Sequence, residues 1–277
     1  MKIAAGDWQL ELAPRRGGMV RALTRRGRNI LRPMPAGSAE PFESACFPLA
    51  PYVNRISHGR FEWEGTVYTL PPNHDGQRHP LHGTAWLGAW EIEAHGAHHV
   101  TLVHHHKAGA DWAWSFTLHQ TLHVSPSGLD ARLELRNTDE RTMPASLGFH
   151  PWFCRREVTG IAFDARAVWL ADPDMLPTAT AAADTLGDWS RGASLERADL
   201  VDHCYAGWDG TLRLSRKDGD VLLEGYATPF LHLYVPPEQD FFCAEPQSAM
   251  PNAVNMEPPV PLAPGATSGI AMRIRSA

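Results

Sequence analysis

Glu245 stands in the stretch FFCAEPQSAMPN, after four residues that read as a buried strand. A carboxylate at the mouth of such a strand is costly unless it has partners. It is therefore either paired or held ready to move a proton. His150 sits in GFHPWF, among aromatic residues and directly before Pro151. The proline pushes it toward an extended backbone. Such an imidazole is either packed among rings or held as a proton donor over a flat ligand. Trp152 and Phe153 follow it and offer the flat apolar face against which carbohydrates lie. His79 and His82 stand in RHPLHG, where Pro80 and Gly83 favour a loop or strand end over a helix. Their rings either line a pocket or bond loop backbone. Arg55, with Asn54 before it, lies in PYVNRISHG and reads equally as a strand-end salt bridge. Asp202 in LVDHCYAGW reads equally as a turn cap. Together these residues form an inventory suited to proton transfer on a polar, neutral ligand, with no obvious nucleophile or metal set.

Other chemistries find little support. There is no Walker loop and no HExxH. GATSG carries threonine where a nucleophile elbow needs serine. In HHVTLVHHH, His104 and His106 share one strand face, as metal ligands in some β-barrels do. The next acid is only Asp111, so they read as solvated strand histidines, and a cupin-like metal protein is the outside alternative. His119 and His123 fall on the polar parity of their strand and read as surface residues. The net charge of −6 lacks the basic face of a nucleic-acid binder. The N-terminus lacks the apolar run of a signal peptide, and no stretch approaches the roughly 18 apolar residues of a membrane span. Four dispersed cysteines without a CxxC pair read as buried thiols of a cytoplasmic protein. The expected partner is a monosaccharide, with no nucleic acid, membrane, metal or cofactor, on a monomer or homodimer.

Short strands must position these groups. Glycine and proline number 23 each and are spread almost evenly, which suits strands and turns. From Trp114 to Val124, Trp114, Phe116, Leu118, Leu122 and Val124 share one parity and polar residues the other. After the turn SPSG, Leu129, Ala131, Leu133 and Leu135 alternate again, so the pair reads as a long antiparallel hairpin. Further strands are expected in GRFEWEGTVYTL, in residues 90–106 with a turn near Gly96, in FLHLYV and in DFFCAE. A short helical stretch is expected around Thr178 to Leu186. The whole chain, 1–277, reads as one all-β domain of two large packed antiparallel sheets.

Five blocks then resemble the aldose 1-epimerase, or galactose mutarotase, family in that family's order: PYVNRISHGRFEWEGTVYTLPPN, HPLHG before a tryptophan-rich strand, GFHPWF, LVDHCYAGWDG and FFCAEPQSAMPNAVN. The resemblance covers about residues 45 to 260. It implies a galactose mutarotase-like supersandwich with few short helices, and cofactor-free interconversion of α and β anomers of a free aldohexose. By position, Glu245 matches the general base and His150 the general acid. His82 matches the second active-site histidine, Arg55 with Asn54 the arginine on sugar hydroxyls, and Asp202 the aspartate anchoring a hydroxyl. His79 stands where the galactose-specific branch has asparagine, and Pro151 where it has a small polar residue. FHPWF is closer to the less characterised bacterial branch. The alternatives are a hexose-6-phosphate mutarotase, for which Arg78 and Arg155 are available, and an inactive carbohydrate-binding protein of the same fold.

Overall fold

The computed structural model describes residues 1–277. Two eight-stranded antiparallel sheets carry the architecture. The back sheet runs Val158–Phe163, Thr211–Arg216, Val221–Tyr226, Thr267–Ser276, Gly128–Asn137, Phe116–Ser125, His99–His106, Glu91–His95. The front sheet runs Pro177–Ala182, Ala167–Ala171, Val201–Ala206, Phe230–Val235, Phe241–Gln247, Gly148–Phe149, Pro48–Leu49, with Trp152–Cys154 also paired to Phe241–Gln247. A four-stranded meander over residues 2–29 and a hairpin of Arg60–Trp63 with Thr66–Thr69 complete the strands.

The long hairpin forms in the expected register, with Leu118 opposite Leu135 and Leu122 opposite Ala131. All four face one core, together with Leu133. Gly128 turns the hairpin at φ 153°, and a Cβ there would stand 2.1 Å from the Ile274 carbonyl oxygen. The strands expected in residues 60–69, 90–106, 230–235 and 240–245 are all present.

Three expectations fail locally. Residues 178–186 are not helical: Pro177–Ala182 is an edge strand paired to Ala167–Ala171, followed by a turn. Thr178 and Thr180 are β-branched and fit a half-exposed strand, where pairing decides. The one α-helix is the four-residue Ala253–Met256. His104 and His106 are not solvated. They share the parity of the core residues Val100 and Leu102, so alternation turns them inward. His104 donates from Nδ1 to the Ala89 carbonyl at 2.8 Å, and His106 stacks on Phe116 at 4.9 Å. His119 and His123 do take the outer parity, His119 near Glu93 at 3.4 Å. Finally, Glu245 lies inside its strand rather than at its mouth, because pairing continues to Gln247.

Alternation in the front sheet sorts its side chains by face. Val201, Tyr205, Leu231, Leu233, Phe242 and Ala244 join Leu118, Leu133 and Ile270 of the back sheet in one core. The intervening residues Asp202, Cys204, His232, Tyr234, Cys243 and Glu245 therefore face the other way. This second face carries the polar cluster. No helix is long and apolar enough to cross a membrane.

Candidate active site

The Glu245 carboxylate and the His150 imidazole meet on that face, Oε1 to Nε2, at 3.3 Å. Both are almost wholly buried, and both line a cavity of about 470 Å³. Gln247, two residues along the same strand face, donates from Nε2 to Glu245 Oε2 at 2.9 Å. One carboxylate oxygen is thus anchored and the other faces the imidazole.

Two strand bonds fix His150. Its backbone N–H donates to the Phe47 carbonyl at 3.0 Å, and that of Trp152 donates to Ala45 at 2.9 Å. The imidazole lies flat on the Trp152 ring, with centroids 4.0 Å apart and planes 23° apart. Phe47 closes in at 4.9 Å. Trp152 therefore lines the cavity but holds the imidazole on its ring. Phe153 points to the opposite face and stacks on Phe242 in the core, so it supplies no sugar platform.

His82 comes from a loop. It adopts φ 61°, with Gly83 at φ 76°. A Cβ on Gly83 would stand 1.9 Å from the Ala50 carbonyl oxygen, so only glycine lets the loop lie against that backbone. Asn73 clamps the loop with three bonds, to Leu81 N–H at 2.8 Å and to the carbonyls of Leu81 at 2.8 Å and Gly83 at 2.9 Å. The His82 ring then stands edge-on to His150 at 5.0 Å. His79 does not reach the cavity. Its Nδ1 accepts the His58 backbone N–H at 3.0 Å, the loop-backbone role that its setting allows.

Arg55 and Asn54 both line the cavity, with Asn54 Oδ1 accepting from Arg55 Nη1 at 3.3 Å. Asp202 caps no turn. It lies on the Val201–Ala206 strand and accepts from His232 Nε2 at 2.6 Å. His232 and Arg32 are cavity residues that the motifs leave unmarked. His232 was legible in FLHLYV, where it falls on the parity opposite Leu231, Leu233 and Val235. Arg32 lies in a short loop without a pattern. Its guanidinium covers the Trp152 and Phe241 rings at 4.9 and 4.4 Å. At the rim, an exposed pair of Arg78 and Asp174 at 2.7 Å ties together the stretches that hold the lining residues Gln77 and Met175. Arg155 is spent on the backbone carbonyls of Pro236, Gln239 and Leu195, away from the cavity.

Burial dominates the electrostatics. It pushes Glu245 up to about 7, against the opposing charge of His232. It pulls His150 down to about 3, assisted by His232. It lowers His82 well below the ordinary imidazole value, assisted by His150 and Arg55. For His232, burial would also lower the value, but the Asp202 bond and the Glu245 charge leave it raised. Asp202 is lowered in net, because His232 outweighs its burial. The site thus holds neutral imidazoles at 150 and 82 and an ion-paired one at 232. His150, Glu245 and the buried Cys243 also set three donor atoms within 4.8 Å of one another, the one grouping that could hold a metal ion.

The aldose 1-epimerase family model matches residues 12–275. The chain belongs to the aldose 1-epimerase family. Among its relatives is the uncharacterized protein YphB of Escherichia coli K12, 30% identical over 268 residues, which covers 90% of this chain and 88% of YphB. A crystal structure from Escherichia coli K12, carrying a provisional aldose 1-epimerase assignment, superposes with a TM-score of 0.91 at 28% identity and covers 100% of this chain and 98% of its own. The GalM/aldose epimerase homologue of C. elegans gives 0.84 at 20% identity, covering 100% and 98%. The fold is therefore the galactose mutarotase-like sandwich expected of an aldose 1-epimerase. The activity of this family member has to be argued from its own residues.

Proposed function

We propose that the protein is an aldose mutarotase, interconverting the α and β anomers of a free aldohexose such as glucose or galactose. The contact between Glu245 and His150 at the floor of a sugar-sized cavity carries this reading. Ring opening needs a base on the anomeric hydroxyl and an acid on the ring oxygen. Between about 3 and 7 the pair holds a single proton, and such coupled values belong to the pair. Burial rests that proton on Glu245; its transfer across the 3.3 Å contact to His150 Nε2 makes Glu245 the base and His150 the acid. Glu245 Oε1 takes the anomeric proton, His150 protonates the ring oxygen, and the aldehyde forms as the C1–O5 bond breaks. After rotation about C1–C2 the same proton transfers run backward on the other carbonyl face. Arg55, His82 and the His232–Asp202 pair surround the ring with donors that stabilise charge on oxygen.

A second reading, a mutarotase for hexose 6-phosphates, draws on Arg32. It lines the cavity and keeps a buried Nε without a protein partner. Arg78 and Arg155, engaged elsewhere, lend it nothing. Polarimetry of fresh α-D-glucose, α-D-galactose and α-D-glucose 6-phosphate separates the two. Glu245→Gln is expected to lower the rate by about 10² or more while sugar still binds. Wild-type turnover in that variant would remove Glu245 as the base, and binding without turnover in the parent protein would leave an inactive sugar-binding protein.

A further inference from the structure

Cys243 takes no part in the proton transfers, yet it lies two residues from Glu245 on the same strand face. Its sulfur, a Glu245 oxygen and a His150 nitrogen all lie within 4.8 Å of one another, and all three residues are buried. Strand pairing holds them: Cys243 is opposite Trp152 on one side and Tyr234 on the other, so the backbone positions are preset. In a tetrahedral zinc site with bonds of about 2.0–2.1 Å to nitrogen and oxygen, those two donors stand about 3.4 Å apart. The observed separation of Glu245 Oε1 and His150 Nε2 is 3.3 Å. With a zinc–sulfur bond of about 2.3 Å, the sulfur stands about 3.6 Å from each of the others, so the cluster needs to close by little more than an ångström.

We propose that Cys243, Glu245 and His150 form a binding site for a thiophilic divalent cation, zinc above all, and that its occupancy blocks the acid/base pair. The fourth position opens toward the cavity, where water completes the coordination and a bound sugar is excluded. Binding converts Cys243–SH to a metal-bound thiolate and displaces the proton held by the Glu245–His150 pair, and both protons leave to solvent. A dication held by one thiolate and one carboxylate is a neutral unit, which offsets the cost of burying the ion. A single sulfur with one carboxylate oxygen and one nitrogen selects against magnesium and calcium, which prefer oxygen ligands throughout. Inhibition follows because the ion occupies the atoms that move protons.

The inhibition rests on the mutarotase reading, whereas binding does not, so the two are measured separately. Chelator-dialysed protein is titrated with zinc alone in equilibrium dialysis and with cobalt in absorption spectroscopy. Mutarotation is followed by polarimetry at the same zinc concentrations. The expected result is one ion per chain, a thiolate-to-cobalt charge-transfer band, and inhibition that sugar relieves. A direct ligand should count for at least as much as an outer-shell partner, so Cys243→Ala should weaken zinc binding by about 10–100-fold or more. The same variant should keep its zinc-free turnover, and Cys204→Ala should bind zinc as the parent does. Cys243→Ser, closer in size, serves if the alanine variant does not fold. Undiminished binding in the Cys243 variants, a cobalt spectrum without the thiolate band, or binding lost instead in His104→Ala would overturn the site. Stoichiometric zinc with unaltered turnover would overturn the inhibition.

Discussion

At the scale of single residues, Glu245 and His150 make opposite demands on the proton they share. Burial favours the neutral form of each, and the proposed mechanism draws on the single-proton state between about 3 and 7, with the proton passed from Glu245 to His150. Above 7 the pair has lost that proton and no acid remains, so kcat/KM should fall as pH rises through about 7. Polarimetry from about pH 5 to pH 9 checks this; a rate that instead climbs through 7 would mean that the ring-oxygen proton comes from elsewhere. The same burial has a stability consequence. A carboxyl whose folded value is raised from 4.5 to about 7 favours the folded state at low pH, and that contribution is lost as pH rises through 7. Glu245→Gln removes the ionisation. Its Tm relative to the parent should therefore increase between pH 5 and pH 8, in calorimetry run at about those two values.

At the scale of elements, what was legible depended on whether a residue's role is written in strand parity or in loop geometry. Parity predicted the Phe116–Asn137 hairpin and its buried face, because a period of two leaves no second choice. The same parity turns His104 and His106 inward with Val100 and Leu102. Glu245, His150, His82, Arg55, Asn54 and Asp202, all within the family blocks, line one cavity. His79 could not be separated from His82 by spacing, since the outcome turns on which ring faces the His58 backbone. Arg32 is invisible in the sequence because only tertiary packing lays it over Trp152 and Phe241. The loop of His82 gives the prediction at this scale. Asn73→Ala removes three bonds to Leu81 and Gly83. At about 0.5–1.5 kcal/mol each it should cost about 1.5–4.5 kcal/mol of stability. It should lower kcat/KM as well, because His82 is no longer held at the ring; denaturant titration and polarimetry read the two effects.

At the scale of the whole molecule, one hydrophobic core serves both large sheets, drawing on residues from Ile3 to Ile274. Leu133 lies on the back sheet and Leu231 on the front, and each is fully buried. Leu133→Ala and Leu231→Ala should each cost about 2–5 kcal/mol. Both should lower the same unfolding transition, monitored by circular dichroism against denaturant, since neither sheet buries its apolar face without the other. Separate transitions for the two variants would mean that the sheets unfold as independent units. The front sheet's outward face is thereby held rigid from behind, which keeps groups from different strands and loops within hydrogen-bonding range.

The clasp of Arg78 and Asp174 is unlike the floor it stands above. It is an exposed pair with both partners in water, worth about 0–1 kcal/mol and weakened by ionic strength. Added salt screens this exposed pair, while the pair beneath it is sheltered from counterions. For the proposed mutarotase, ionic strength should therefore alter KM more than kcat, read by polarimetry in dilute and concentrated salt.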